Sequence, residues 1–126
     1  MSSEAAGIIA DLLARGHSVR FRATGHSMYP IIRCDDFLLV APPVRVVRGD
    51  VVLVLAERGL TAHRVIEISD GMVMTRGDNA SGPDPAIETT RILGVVTHAE
   101  RNGRMRPVRT LSGLVLRVVR LFGRLR

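Results

Sequence analysis

Hydrophobic positions follow two different periods along the chain. Near the start, Ile8, Ile9, Leu12 and Leu13 recur at helical spacing, which predicts a short amphipathic helix over residues 3–15. Ser2 or Ser3 can cap it and Gly16 can stop it, so the N-terminal helix belongs within residues 1–16. From Val19 the period becomes two. Val19 to Ala23 alternates, Phe37 to Ala41 and Val51 to Ala56 are apolar runs of strand length, and His63 to Ile68 alternates again. Met72 to Thr75 and Ile92 to His98 are further strands by the same reading. Pro42-Pro43, Gly49-Asp50, Asp70-Gly71 and Gly77-Asp78-Asn79 punctuate them as turns. Asn102-Gly103 marks a two-residue hairpin between Val95–Glu100 and Met105–Val108. The body, residues 19–108, is therefore expected to be mostly antiparallel β.

The last segment returns to the helical period. Leu111, Leu114, Val115, Val118, Phe122 and Leu125 fall on one face, with Arg117, Arg120 and Arg124 on another. Residues 110–126 read as a basic amphipathic helix. Such a helix either packs on the sheet or lies on an anionic membrane surface, and the stripe alone does not separate the two.

A chain of 126 residues fits one domain with a real core. Apolar residues at 46% and charged residues at 24% are globular proportions. The formal charge of +6 raises the question of nucleic acid or anionic lipid. All eighteen basic residues are arginine, however, and aromatics are only 3%, which argues against nucleic acid as a partner. The absence of lysine removes Schiff-base chemistry, a lysine general base and a P-loop lysine. Cys34 is the single cysteine, which excludes an internal disulfide and a multi-cysteine zinc site. The four histidines show no paired metal-ligand spacing, and no cofactor is implied. No apolar stretch approaches the ~20 residues of a membrane span. Glu4 and Asp11 make the N-terminus a poor signal peptide, so the expected compartment is the cytoplasm.

Chemistry concentrates in two places. Thr24 to Pro30 reads T-G-H-S-M-Y-P, directly after a strand. Gly25 lets the backbone approach a substrate, and Pro30 stiffens the turn that presents Ser27. A serine hydroxyl needs a neighbouring base, which without lysine must be histidine or a carboxylate. His63, in T-A-H-R-V-I-E-I, is the histidine set within an alternating apolar strand. Taken singly, Ser27 is a turn serine and His63 a strand histidine.

Taken in order, G-H-S-M-Y-P, Gly49-Asp50, H-R-V-I-E-I, T-R-G-D-N, P-D-P and I-L-G-V-V resemble the signal peptidase I (S26) family over about Gly25 to Val96. The likeness is to the archaeal and endoplasmic-reticulum type, in which histidine precedes R-V; the common bacterial type has lysine there. The resemblance implies a coiled antiparallel β-sheet body shared with the repressor-type peptidases. It also implies Ser27 as nucleophile, His63 as general base and a carboxylate that orients the base. Asp84 in P-D-P is the favoured partner, and Asp78 in R-G-D-N is the structural or supporting carboxylate. Gly25, Ser27 and Met28 fall on the substrate and oxyanion side, where the bacterial branch often has a hydroxyl at the position of Gly25. His26 falls on a variable position and is expected to face solvent.

The expected function is a serine endopeptidase of signal-peptidase type. It would cut a leader or signal-like peptide after small residues, with that peptide or precursor protein as partner. Residues 111–126 would add peripheral contact with an anionic membrane. The alternative is a catalytically inactive peptide- or membrane-binding module. A self-cleaving regulator ranks below both, because its relatives use a Ser-Lys pair.

Overall fold

The computed structural model describes residues 3–109. It opens with a helix, α1, at Ser3–Ala14. Because Ser3 is already helical, the capping position falls on residue 2, outside the described residues. Gly16 at φ +90° then ends the helix, since that backbone region suits a residue without Cβ. Leu13 and Ala6 are its buried residues, while Ile8 remains exposed.

Eight strands follow: β1 (Val19–Arg22), β2 (Phe37–Ala41), β3 (Val51–Ala56), β4 (Gly59–Ser69), β5 (Met72–Arg76), β6 (Ile87–Glu88), β7 (Ile92–Arg101) and β8 (Arg104–Pro107). They form one antiparallel sheet in the order β1-β2-β7-β3-β4-β5-β6, with β8 also paired to β7. β2 and β3 carry the boundaries that their apolar runs predict. β4 begins four residues earlier than its alternation indicates, because Leu60 to Ala62 pair with β3 across a tight turn at Glu57-Arg58. The Asp70-Gly71 and Asn102-Gly103 hairpins both have two successive positive φ angles, as two-residue turns between twisted strands require. The basic helix expected over residues 110–126 lies outside the described residues.

The sheet is coated on both faces. Leu13, Met28, Ile32, Leu38, Val51, Leu53 and Val96 belong to one apolar cluster. Val52, Val65, Val73 and Ile92 form a second. Val51, Val52 and Leu53 are each fully buried, which explains why β3 reads as an unbroken apolar run instead of an alternating one. A second tie is polar. Buried Asp36, just before β2, accepts both Arg101 Nε and Nη2 at 2.8 Å, the Arg33 N–H at 2.9 Å and Arg106 Nη2 at 3.2 Å. It thereby joins the entry to β2 with the β7–β8 hairpin.

Candidate active site

Ser27 lies in the turn between β1 and β2, and His63 projects from β4. The serine hydroxyl stands 3.1 Å from His63 Nε2. On the other side of the ring, His63 Nδ1 is 2.6 Å from Asp84 Oδ2. Asp84 sits in the irregular segment between β5 and β6, anchored to the neighbouring strand twice. Its N–H donates to the Thr75 carbonyl at 2.8 Å, and the Thr75 hydroxyl donates to its Oδ2 at 2.7 Å. A carboxylate held in this way fixes the imidazole so that Nδ1 carries hydrogen and Nε2 is open to the serine. Ser27 is exposed and His63 is mostly buried, so the hydroxyl is reachable while its partner is shielded.

Asp78 is not part of that chain of contacts. Its two oxygens accept Arg64 Nε at 2.8 Å and Nη2 at 2.6 Å. Arg64 is completely buried, and its remaining donor reaches the carbonyls of Gly49 at 3.0 Å and Val108 at 2.6 Å. The guanidinium follows His63 in the chain, so it locks β4 to the R-G-D-N loop, the Gly49-Asp50 turn and the start of the C-terminal segment. Arg109 reinforces this last tie with a 2.9 Å pair to Asp50.

The R-G-D-N loop in turn holds the serine. Asn79 N–H donates to the Ser27 carbonyl at 2.9 Å, and Asn79 Nδ2 donates to the His26 carbonyl at 3.2 Å. The Asp78 N–H points at Met28 Sδ, 3.3 Å away. Gly77 lies closest of all. A Cβ there would stand 2.6 Å from the Ser27 carbonyl oxygen and 3.2 Å from His63 Nε2. The turn reading of Gly-Asp-Asn holds, since the Ala80 N–H returns to the Gly77 carbonyl at 2.9 Å. What that reading omits is that the glycine also makes room for the serine loop.

The sequence reading names Ser27, His63, Asp84 and Asp78 but gives Gly77 and Asn79 only a turn, and Arg64 and Thr75 no part in the site. These last four all lie inside the quoted H-R-V and T-R-G-D-N blocks; their roles depend on how β4 and β5 pair, which no single segment displays. His26 is exposed, as expected, although it lies in a turn and not in a strand. Gly25 has φ +82° and open space around its Cβ position. Met28 is buried in the main cluster, and the Tyr29–Pro30 peptide that follows it is cis.

Beside Ser27 a groove of about 400 Å³ runs between β1 and the β3–β4 hairpin. Its lining combines apolar Phe21, Met28, Ile32, Leu38, Leu53 and Ala62 with polar Arg22, Thr24, His26, Ser27, Arg58 and Thr61. Among the described residues, no group of His, Cys, Asp and Glu is arranged to hold a metal ion, and no helix is long and apolar enough to cross a membrane. A family model described as Peptidase S24-like matches residues 4–97. No curated protein and no solved structure matches the chain significantly.

Proposed function

This chain belongs to the Peptidase S24-like family, and we propose that it is a serine endopeptidase of signal-peptidase type. The observation that carries the reading is the unbroken series Ser27 Oγ, His63 Nε2, His63 Nδ1, Asp84 Oδ2, with contacts of 3.1 and 2.6 Å. The family match supports a peptidase of this broad kind. The narrower reading rests on the H-R-V block and on the absence of any lysine that could serve in a Ser-Lys pair.

In this mechanism Ser27 Oγ bonds to the scissile carbonyl carbon as its proton passes to His63 Nε2. Asp84 stabilises the imidazolium that results. His63 then returns the proton to the leaving amine as the peptide bond breaks, leaving an acyl group on Ser27. Water, deprotonated by the same imidazole, hydrolyses that ester. The developing oxyanion needs donors, and Gly25 has no hydroxyl to offer. The Ser27 N–H has no partner among the described residues, so it is the group assigned to that task.

The substrate is an extended peptide laid in the groove as an added strand, with small side chains at the first and third positions before the cut. The free edge of β1 supplies backbone groups for pairing, since β1 ends the sheet order. A leader or signal-like peptide is the class this describes. Activity-based labelling with a fluorophosphonate, together with a small-residue peptide library, tests the reading. Wild-type protein is expected to be labelled on Ser27 and to cleave, and Ser27→Ala to do neither while keeping its melting temperature. Equal cleavage by Ser27→Ala overturns the nucleophile assignment. An unlabelled, inert wild type leaves a peptide-binding module in place of an enzyme.

A further inference from the structure

The two faces of β1 differ in a way that bears on what peptide the groove accepts. Phe21 opposes Leu38 in the β1–β2 pairing, and both line the groove. Arg22 opposes Phe37, and its guanidinium lies over the Phe37 ring, 5.3 Å from the centroid. Arg22 is among the residues that line the groove, but strand alternation carries its guanidinium to the Phe37 side, away from Phe21 and Leu38. Its neighbour on that face, Arg20, is already neutralised by Glu100 at 3.1 Å. Arg22 is exposed and has no carboxylate partner among the described residues. Nor does any Asp or Glu line the groove, whose far wall carries Arg58.

A strand added to the free edge of β1 inherits the same alternation. If its first and third residues before the cut turn into the groove, its second and fourth turn to the Arg22 face. We propose that Arg22 is a specificity-determining residue, which selects peptides with an acidic side chain at the second or fourth position before the cut. The inference rests on the peptidase reading for the location of the cut, but the charge preference is a property of binding and does not need turnover. The preferred substrate class is then a leader peptide that alternates small and acidic residues just ahead of the cleavage point. An exposed arginine–carboxylate pair is a modest interaction, so the preference is expected to be about three- to five-fold.

The test is a set of peptides with one glutamate moved through the first five positions before the cut, each matched by a glutamine control. Binding to full-length Ser27→Ala is measured by fluorescence anisotropy, and kcat/KM is measured with the wild-type chain. Glutamate at the second or fourth position is expected to strengthen both at low salt, with the advantage fading at high salt. Within Arg22→Gln the glutamate-to-glutamine ratio is expected to fall to about one, and within Arg22→Glu a lysine peptide should overtake the glutamate one. A scan that is flat at the even positions, or a preference that survives Arg22→Glu, overturns the inference. Charge-selective binding without cleavage by the wild type would instead overturn the catalytic reading and leave the role of Arg22 standing.

Discussion

Arg64 and Asp78 form a bidentate ion pair in the interior, one residue along the chain from the histidine that contacts Ser27. Asp84, by contrast, contacts His63 from a partly exposed position. The two carboxylates therefore answer differently to the same substitution. Removing one partner of a buried pair costs about 3–5 kcal/mol, because the other charge is left uncompensated. Asp78→Asn is expected to lower the melting temperature by several degrees or more. Asp84→Asn should leave it nearly unchanged and cut kcat by about 10²-fold or more, as loss of the orienting carboxylate does in serine triads. Thermal melts beside peptide cleavage decide the matter, and the reverse pattern would exchange the two roles.

The Ser27 hydroxyl needs a base beside it, and His63 Nε2 at 3.1 Å is in reach. His63→Ala should abolish peptide cleavage, measured beside circular dichroism of the same variant. Wild-type cleavage by His63→Ala would remove histidine as the base.

Gly77 offers a sharper geometric test. An added methyl at that position meets the Ser27 carbonyl at 2.6 Å, which is backbone and yields only by moving the serine loop. Because the loop also carries Ser27 Oγ, Gly77→Ala should reduce kcat by at least about ten-fold, the scale on which small misplacements act. Circular dichroism is expected to show an intact sheet. Wild-type turnover in Gly77→Ala would show that the close approach is not needed for catalysis.

Acid should weaken the fold through Asp36. Burial opposes its ionisation, but hydrogen bonds from Arg101, the Arg33 N–H and Arg106 outweigh that and hold its carboxyl below the ordinary 3.8. The same contact raises the pKa of Arg101. A carboxylate whose folded pKa is depressed adds stability above its unfolded value and loses it as pH falls through the folded one. The melting temperature should thus drop below about pH 4. Asp36→Asn should be less stable than wild type at pH 7, and the gap should narrow as the solution is acidified. A gap that stays constant down to pH 2 would exclude Asp36 as a source of the acid limb.

Residues 111–126 remain a proposed membrane-surface segment. Each arginine close to an anionic bilayer contributes on the order of 1 kcal/mol, and the attraction fades beyond a Debye length. Full-length protein is expected to co-sediment with anionic vesicles at low salt, and much less at high salt or with neutral vesicles. Replacing Arg117, Arg120 and Arg124 with glutamine should release it. Protein that stays in the supernatant under every condition would favour packing of the segment on its own sheet.

Much of this architecture can be read from one-dimensional pattern, and the exceptions have physical causes. β3 and the Asn102-Gly103 hairpin are legible because burial on both faces and a two-residue turn leave strong local signals. β6 spans only Ile87–Glu88, too short for any period to show. At the site, Ser27, His63 and Asp84 are picked out by the family resemblance of the blocks that hold them, since Ser27 and His63 taken singly read as ordinary turn and strand residues. Thr75 and Asn79 act through partners far along the chain, at Asp84 and Ser27, and look locally like ordinary strand and turn residues. Arg64 was the hardest to foresee. Next to a histidine on a strand it reads as a solvated charge, and only the folded register brings Asp78 and two carbonyls around it.

The sheet order also sets when the site can come into being. The β1–β2 pair, which flanks the Ser27 turn, and the β3–β4 hairpin, which carries His63, do not pair with one another; β7 lies between them and pairs with both. A nascent chain that has emerged as far as Asp84 holds every reacting group but lacks the strand that both pairs share. Long-range pairings of this kind form late, after the intervening loop has been closed. On the proposed reading, the peptidase site is complete only when residues 92–101 have been made and docked against both pairs.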